Sequence, residues 1–430
     1  MKNSNNNTHI QHQKIGLELA GLSGKLYNSV LSSRVRKSVP KTEKCTKSDC
    51  KTHEEDSSRY CIQTYSQRQK SVRRLFKIQE QVLNNDIHKT VRYCRRIQSF
   101  HSKEITAQEG KKGGNISGVF LCGSSHCPAC FGRIAQEKRN QLKKVIGHSK
   151  DKGMRIAMMT LTFSHQYGND LKKILESLSI AKTYFMRQRK FKKIDIQWHI
   201  SRLEFTYSEN NGFHPHYHIA MGINDNIDEH ELKQEWMRVC EKYGLSCSYD
   251  KGLDLVIDEK FEGVEKYIMK DGKTDISFEV ASDGIKQARN ENVSMEYLMD
   301  VLAGFEKENI ITKERARNIL YVYYANVKGK AIFSISNKFK DIVEEIDAVE
   351  KDEEKQDDQI ERQQPGAPSL KIGRWILHYL AYTNNLNYLY DFIGHNDLTK
   401  LYDDLLYILP EKLINGIVWI DPPEEISIAA

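Results

Sequence analysis

The stretch Glu204-Phe-Thr-Tyr-Ser-Glu-Asn-Asn-Gly212-Phe-His-Pro-His-Tyr-His218 decides how the centre of this chain folds. Residues 196–206 alternate between apolar and polar side chains as a half-buried β-strand does, and residues 217–223 resume as a second strand. Between them, Ser208 to Gly212 consists of turn-forming residues. Two strands joined by a turn that contains Asn-Gly are typical of an antiparallel hairpin.

Three histidines, His214, His216 and His218, stand at alternate positions of this stretch. Successive side chains of a strand point to opposite faces, so all three can project to one side, although Pro215 better suits a strand start or an edge. His216 and His218 can converge on one metal ion, and Glu204 across the turn can add a carboxylate. Such a site suits Mn²⁺ or Mg²⁺, and zinc also binds imidazole. A histidine cluster on a polar surface and a purely structural zinc site are the alternatives.

The segments around the hairpin alternate between strand and helix patterns. Residues 155–162 form an apolar β run, residues 171–185 have the 3.6-residue spacing of a helix, and helices are expected at 228–243 and near 263–269. This order predicts an α+β fold with a mostly antiparallel central sheet and flanking helices.

A cysteine cluster precedes these elements. Cys122, Cys127 and Cys130 follow the pattern Cys-x4-Cys-x2-Cys, whose last pair is the usual half of a tetrahedral zinc site. Cys94 or His126 is the candidate fourth ligand. We expect this Cys-rich element to bind structural Zn²⁺ and to do no chemistry itself; chance thiols are the alternative. The other cysteines are a loosely spaced triplet, Cys45, Cys50 and Cys61, and two expected ordinary thiols, Cys240 and Cys247.

Basic residues are concentrated in parts of the chain. The formal net charge is only +7, but residues 62–100 hold nine Lys or Arg against two acids, and residues 182–193 hold six basic residues and no acid. Eleven carboxylates between Asp341 and Glu361 offset them. This distribution is expected of a protein that binds a phosphate backbone, with a solvated lysine-rich surface as the alternative. The candidate DNA-binding residues are Arg133, Lys138 and Arg139 beside the cysteines, and Arg189 and Lys190 in the second basic run.

Composition divides the chain into five segments. They are a polar, partly flexible extension (1–60), a basic helical region with the cysteines (61–150), the α+β domain (151–340), an acidic and Pro/Gly linker (341–369) and a small helical C-terminal module (370–430). The first residues lack the apolar core of a signal peptide, and no apolar run approaches the ~20 residues of a membrane span. A cytoplasmic protein with no membrane partner is therefore expected.

One tyrosine stands out by its surroundings. Tyr267 lies on the helix expected near 263–269, with Lys270 one turn later on the same face. A tyrosine hydroxyl near a divalent metal can attack a phosphodiester and keep the bond energy in a phosphotyrosine link, and Lys270 can activate the phenol or steady the phosphate. Most tyrosines are packing residues, and this chain has 21. Tyr323 and Tyr324 are the next candidates.

These motifs share an order with a known group of proteins. From about residue 90 to 340 the chain resembles the plasmid rolling-circle replication initiators of the HUH endonuclease superfamily, in the branch typified by small plasmids of Gram-positive bacteria. The matching motifs are Cys122…Cys127-Pro-x-Cys130, Met159-Thr-Leu-Thr162, Glu204-Phe-Thr206…His214-Pro-His-Tyr-His218, Tyr267-x-x-Lys270 and a closing signature, Gly329-Lys-Ala-Ile-Phe-Ser334.

The resemblance implies an HUH-like fold in which the tyrosine helix packs beside the metal. It implies nicking of one strand at a double-strand origin, covalent attachment to the 5′ end of the DNA, a free 3′-hydroxyl and later strand closure. By this resemblance His216 and His218 are metal ligands, and Glu204 or His214 supplies a third.

The chain departs from this branch at one position. Members can carry a glutamate one helical turn before the tyrosine, thought to activate water at termination, and that position here is Gly263. Glu262 and Glu265 lie five and two residues before Tyr267, so a regular helix points both away from the phenol at ~100° per residue. Either the helix starts later and Glu262 serves, or another carboxylate or tyrosine acts at termination.

Other functions compete with the nicking initiator. A zinc-dependent DNA-binding regulator without catalysis accounts for the cysteines and basic residues but not for the histidine strand. A transposase or conjugative relaxase of the same superfamily shares the chemistry, and a metallohydrolase that uses activated water would stay active without Tyr267. Origin DNA is the expected partner, while recruitment of a host helicase and the oligomeric state stay open.

Overall fold

The hairpin predicted around Gly212 is present in the computed structural model. β4 (Ile196–Ser208) and β5 (Gly212–Ile223) pair antiparallel. β5 begins at Gly212, whose φ of 75° closes the turn, and not at Tyr217 as the pattern predicts. The strand on the other side of β5 pairs with β5 only as far as Tyr217. Pro215 lies beyond that pairing, which is why β5 can accommodate a proline. All three histidines therefore lie within one strand.

The described part of the chain has several gaps. It comprises residues 67–83, 87–110, 114–224, 227–258, 292–306, 310–353 and 368–420.

The hairpin forms the centre of an antiparallel sheet. Within the described residues its strand order is β6-β3-β5-β4-β7, and β8 also pairs with β4. The strands around the hairpin are β3 (Arg155–Leu161), β6 (Leu253–Asp258), β7 (Val293–Ser294) and β8 (Phe333–Ile335). The predicted α+β class with an antiparallel sheet and flanking helices is confirmed.

Two long helices cover one face of this sheet. They are α3 (Pro128–Asp151) and α10 (Asn337–Glu353). Leu142 of α3, Trp198 of β4 and Phe339 of α10 belong to one buried core. This is the same face as the histidines, because Trp198 and Glu204 are an even number of residues apart on β4.

The two helices predicted around the hairpin are also present. α4 (Leu171–Phe185) and α6 (Glu229–Lys242) have nearly the predicted bounds. Phe185 packs edge-to-face on Trp236, with 5.3 Å between ring centroids. The indole N–H of Trp236 donates to the carbonyl of Thr162, 2.8 Å away, and so ties α6 to the end of β3.

The acidic stretch 341–369 is helical in its first part, although composition predicts a linker. α10 continues to Glu353. Phe339, Ile342 and Val343 have the three- and four-residue spacing of an apolar face, and they pack in the core. Composition does not reveal this spacing, because carboxylates dominate the stretch. The α+β core therefore extends beyond the predicted boundary at residue 340.

A second antiparallel sheet joins segments from distant parts of the chain. Its order is β10-β9-β1-β2. The strands are β1 (Ile105–Gln108), β2 (Asn115–Ser117), β9 (Ser369–Ile372) and β10 (Ile417–Ile420). The segment expected to be a helical module thus contributes two strands, which are too short to show a clear period in the sequence. Because β9 pairs with β1, this segment shares a sheet with the region predicted as 61–150.

Ten further helices complete the described residues. They are α1 (Gln67–Gln81), α2 (Lys89–Tyr93), α5 (Arg189–Lys192), α7 (Tyr249–Gly252), α8 (Met295–Ala303), α9 (Lys313–Asn326), α11 (Arg374–Tyr382), α12 (Leu386–Gly394), α13 (Leu398–Ile408) and α14 (Glu411–Ile414). In the part of the chain that the structure describes, no helix combines the length and the apolar character needed to cross a membrane.

Candidate functional site

Glu204, His216 and His218 come together on one face of the central sheet. Glu204 lies opposite His216 in the β4–β5 register, and His218 is two residues farther along β5. One potential ligand atom from each side chain lies within 4.8 Å of the others, and Nε2 of His218 is 3.3 Å from a carboxylate oxygen of Glu204. Two imidazoles and a carboxylate at these separations are a suitable donor set for a divalent cation.

The other ring nitrogens of the two histidines are already engaged. Nδ1 of His218 lies 3.1 Å from the hydroxyl of Thr160 on β3, and Nδ1 of His216 lies 3.3 Å from the carbonyl oxygen of His214. A ring that donates through Nδ1 keeps its lone pair on Nε2. The carbonyl of His214 can only accept, so its contact selects the His216 tautomer that presents Nε2 to a metal, as metal-bound histidines ordinarily do. The hydroxyl of Thr160 can donate or accept, so its contact orients the His218 ring without selecting a tautomer.

The charges around the site also favour a cation. Burial raises the pKa of Glu204, but the hydrogen bond with His218 and the positive charge of Arg202 outweigh burial and lower this pKa to about 2. Burial, followed by the neighbouring His218, lowers the pKa of His216 to about 4. At neutral pH the carboxylate is therefore ionised and the imidazole of His216 neutral, which are the forms that bind metal.

Arg202 is a residue of this face that the sequence analysis did not single out. It lies opposite His218 in the register, is only 1% exposed, and places its guanidinium carbon 5.7 Å from the ring centroid of Phe131 in α3. Strand alternation with Glu204 would have placed Arg202 on the histidine face, but an arginine in a strand is ordinarily taken to face solvent. Its buried positive charge helps to keep Glu204 ionised.

His214 does not join this group of ligand atoms. Its Nε2 makes a hydrogen bond with the hydroxyl of Thr162, and its ring stacks on His165 with 4.4 Å between centroids. Burial, followed by the neighbouring His216 and His165, lowers the pKa of His214 to about 3. The sequence left Glu204 and His214 as alternatives for the third ligand. Of these two, only Glu204 lies with His216 and His218.

The four cysteines of the predicted zinc element meet in a second cluster. Cys94 follows α2, Cys122 lies in a loop, and Cys127 and Cys130 lie at the start of α3. The Sγ–Sγ distances are 3.6 Å for Cys94–Cys130 and 3.7 Å for both Cys122–Cys130 and Cys127–Cys94. Four sulfurs placed ~2.3 Å from a central zinc ion would be about 3.8 Å apart. The cluster therefore fits a tetrahedral Zn²⁺ site with Cys94 as the fourth ligand.

His126, the alternative fourth ligand, has a different role. Its Nδ1 lies 2.8 Å from the hydroxyl of Tyr323, and its Nε2 lies 2.8 Å from the carbonyl oxygen of Lys330. The hydroxyl of Tyr324 donates to the carbonyl of His126, 2.9 Å away. These contacts bury both tyrosines, so neither phenol is accessible to a DNA strand. The closing signature around Lys330 thereby packs against the cysteine element.

Comparison with known proteins identifies the family. A family model described as a replication protein matches residues 114–388, which is well over half of the chain. The chain belongs to the replication protein family. The resemblance seen in the motifs is thus confirmed at the level of the family, and the matched residues include both clusters except Cys94.

A curated relative of this replication protein is the protein named Protein rep from Streptococcus pneumoniae serotype 2 (strain D39 / NCTC 7466). The two are 24% identical over 165 residues, which cover 36% of this chain and 51% of the relative. The chain thus matches about half the length of that relative. No solved structure matches this replication protein.

Tyr267, Lys270 and Glu262 of this replication protein lie outside the described residues. The helix expected near 263–269 and the cysteine triplet Cys45, Cys50 and Cys61 also lie outside them. The described strands on either side, β6 and β7, belong to the central sheet.

The candidate DNA-binding residues lie on two different helices. Arg133, Lys138 and Arg139 belong to α3, which covers the histidine face, and Arg189 and Lys190 belong to α5. Some of these side chains bind neighbours on the protein. Lys138 lies 3.7 Å from Glu137, and Lys190 lies 3.6 Å from Glu231. Arg133 and Arg189 are exposed.

Proposed function

We propose that this replication protein is a plasmid rolling-circle initiator that nicks one DNA strand at the double-strand origin. The observation that carries the proposal is the convergence of Glu204, His216 and His218 on one sheet face, in a chain of the replication protein family. A purely DNA-binding regulator has no need of a carboxylate and two imidazoles that converge on a single face.

The chemistry follows from the residues of the chain. A divalent ion, Mn²⁺ or Mg²⁺, would be held by Glu204 and by Nε2 of His216 and His218, and when bound it would act as a Lewis acid on a phosphate oxygen. The Tyr267 oxygen attacks the phosphorus and loses its proton, the bond from phosphorus to the 3′-oxygen breaks, and that oxygen leaves as a 3′-hydroxyl. Lys270 steadies the phosphate. The 5′-phosphotyrosine link keeps the bond energy for later strand closure.

The termination step and the partners are part of the same proposal. Glu262 is the candidate that activates water at termination. The cysteine cluster would hold Zn²⁺ and fix the start of α3, which carries Arg133, Lys138 and Arg139 toward origin DNA. Recruitment of a host helicase would follow the nick, because the free 3′-hydroxyl can be extended only along an opened strand.

The test is a nicking reaction with the full chain. A single-stranded oligonucleotide from the plasmid's own origin is incubated with Mn²⁺ or Mg²⁺, and denaturing electrophoresis detects protein–DNA adducts. We expect an adduct in the wild type, none in Tyr267→Phe, and an unchanged adduct in Tyr407→Phe, a matched change at an exposed tyrosine of α13. Cleavage without any adduct would favour a water-using hydrolase. Binding without cleavage would favour a regulator.

The metal site has its own test. Glu204→Gln keeps the shape of the side chain but removes its charge. Loss of a residue that only supports a metal ligand lowers metal affinity ~10–100-fold. Because Glu204 is itself the assigned ligand, we expect Mn²⁺ affinity, measured by titration calorimetry, to fall by at least this factor. Glu209→Gln is the matched control, since Glu209 lies at the end of the same hairpin and pairs with Arg315. Equal Mn²⁺ affinity in the wild type and Glu204→Gln would contradict the assigned ligand.

A further inference from the structure

A row of ring side chains leads away from the candidate metal ligands. Ring centroids are 4.9 Å apart between His218 and His216, 5.1 Å between His216 and His214, and 4.4 Å between His214 and His165. The last two rings are within 14° of parallel. His165 belongs to the loop between β3 and α4, so this loop brings a ring to the end of the histidine row.

The same loop carries an exposed tyrosine. Tyr167 is 59% exposed, and its backbone lies against Gly212, two residues before His214 on β5, where an added β-carbon would be 3.6 Å from the Tyr167 Cα. A large aromatic side chain at the surface is thus placed next to the metal-binding face. The exposure of a single ring is ordinary by itself, so its neighbours decide what it can do.

Those neighbours hold the Tyr167 side chain in place. Nη2 of Arg315 lies 3.4 Å from the Tyr167 hydroxyl. Arg315 is itself fixed by a carboxylate oxygen of Glu209 at 2.8 Å and by the hydroxyl of Tyr207 at 2.7 Å. Because the charge of Arg315 is paired with Glu209, Arg315 contributes here by fixing the position of the Tyr167 ring. An exposed ring that is already fixed loses little conformational entropy when another ring stacks on it.

We propose that Tyr167 and His165 form a stacking surface for the bases of unpaired DNA beside the metal site. The inference rests on the proposed function, since it takes the metal site to be where the scissile phosphate binds. Aromatic and imidazole rings accept bases of any identity on their faces, and such stacking is a general way to hold single strands. Bases in a duplex already stack on each other and cannot use such a surface without unpairing.

The experiment measures binding separately from nicking. The full chain is titrated into a fluorescent oligothymidylate of about fifteen nucleotides and, in parallel, into a mixed-sequence duplex of the same length, with fluorescence anisotropy as the readout. We expect Tyr167→Ala and His165→Ala each to weaken single-strand binding by roughly 5–150-fold, the effect of losing one stacked base. Duplex affinity and Mn²⁺ affinity should stay within about twofold of the wild type.

Matched variants separate the ring from its hydrogen bonds. Tyr167→Phe keeps the ring and loses only the hydroxyl near Arg315, and His165→Phe keeps a ring against His214, so both should bind the oligothymidylate within a few-fold of the wild type. The inference is overturned if the alanine variants bind as the wild type does. It is also overturned if the phenylalanine variants lose as much as the alanine variants, or if duplex or Mn²⁺ binding falls in parallel.

The outcome does not depend on nicking. A wild type that binds the oligothymidylate through these rings but forms no adduct with its origin would overturn the proposed function and leave the stacking surface intact. An active nickase whose alanine variants bind single strands normally would overturn the stacking surface alone.

Discussion

Lys182 shows how a single residue can depart from its sequence context. In the sequence it begins a basic run that predicts a DNA-facing surface, yet it is only 8% exposed. Its ammonium group donates to the hydroxyls of Ser201 and Ser334 at 2.6 and 3.1 Å and lies 4.8 Å from the ring centroid of Tyr217. The position falls on the apolar stripe of α4, beside the buried Ala181, so helix geometry carries it inward.

The burial of Lys182 predicts a pH-dependent stability. Burial lowers the pKa of Lys182 to about 8, from an ordinary value of 10.5, so below pH 8 the folded protein must bury a charge. The shift corresponds to at most about 3 kcal/mol. Between pH 8 and 10.5 the unfolded chain binds more protons, so the free energy of unfolding rises with pH. We expect Lys182→Met to be more stable than the wild type at pH 7 by roughly 1–3 kcal/mol, and the difference to shrink by pH 9.5.

Urea unfolding at the two pH values checks this prediction. Lys172→Met, a change at an exposed lysine of the same helix, is the matched control and should show no such pH-dependent difference. A Lys182→Met advantage that stays constant between pH 7 and pH 9.5, or that never exists, would contradict the assigned cost of burying the charge.

At the scale of elements, the start of α3 links the two clusters. Cys127 occupies the N-cap position of this helix, and Cys130 lies in its first turn. The next residue, Phe131, contacts Arg202 beside Glu204. The side chain of Cys127 makes no capping hydrogen bond, so a zinc ion held by the four cysteines would fix the start of α3 where an ordinary cap is missing. We therefore expect the orientation of α3 over the histidine face to depend on the cysteine cluster.

Removing a cysteine tests this role. We expect the wild type to bind one zinc ion and Cys130→Ser to bind none, and the melting temperature of the variant to fall by roughly 5 °C or more, about 2 kcal/mol. Elemental analysis and calorimetry measure both effects. Cys240→Ser changes a buried cysteine outside the cluster and should keep its zinc. Unchanged zinc content in Cys130→Ser would show that the four thiols are not a metal site.

At the scale of the whole molecule, the second sheet pairs β9, near the end of the described chain, with β1, near its beginning. Leu370 and Ile372 of β9 are buried beside β1. Tyr390 of α12 donates a hydrogen bond to the carbonyl of Arg95, 3.2 Å away. Segments that sequence composition separates by more than 250 residues thus share a hydrophobic interior. Such a connection makes each segment depend on the other for its stability.

A truncation tests this dependence. A chain that ends at Pro368 loses β9 and β10, so β1 keeps β2 but loses its other partner strand, and buried apolar side chains become exposed. We expect this chain to melt at a clearly lower temperature or to aggregate, as scanning calorimetry and gel filtration would show. A chain that ends at Ile420 keeps both strands and is the control. Equal melting temperatures of the two would indicate an independent C-terminal module instead.

The sequence by itself determined the parts of this protein that depend on local periodicity. Strand alternation placed His216, His218 and Glu204 on one face, the Asn-Gly turn brought the two strands into a hairpin, and the 3.6-residue spacing predicted α4 and α6 within a residue or two. These features follow from the backbone geometry of one strand or one helix, so they can be read from neighbouring residues alone.

Only the tertiary structure decided which distant residues meet. It brought Cys94 rather than His126 to the other cysteines and Glu204 rather than His214 to the histidine pair, buried Arg202 and Lys182, and paired β9 with β1. These outcomes depend on packing and pairing between elements far apart in the chain, where one-dimensional patterns carry no information on partner or distance. The physical reason is that burial and hydrogen bonding are properties of the assembled core, whereas periodicity is a property of each element alone.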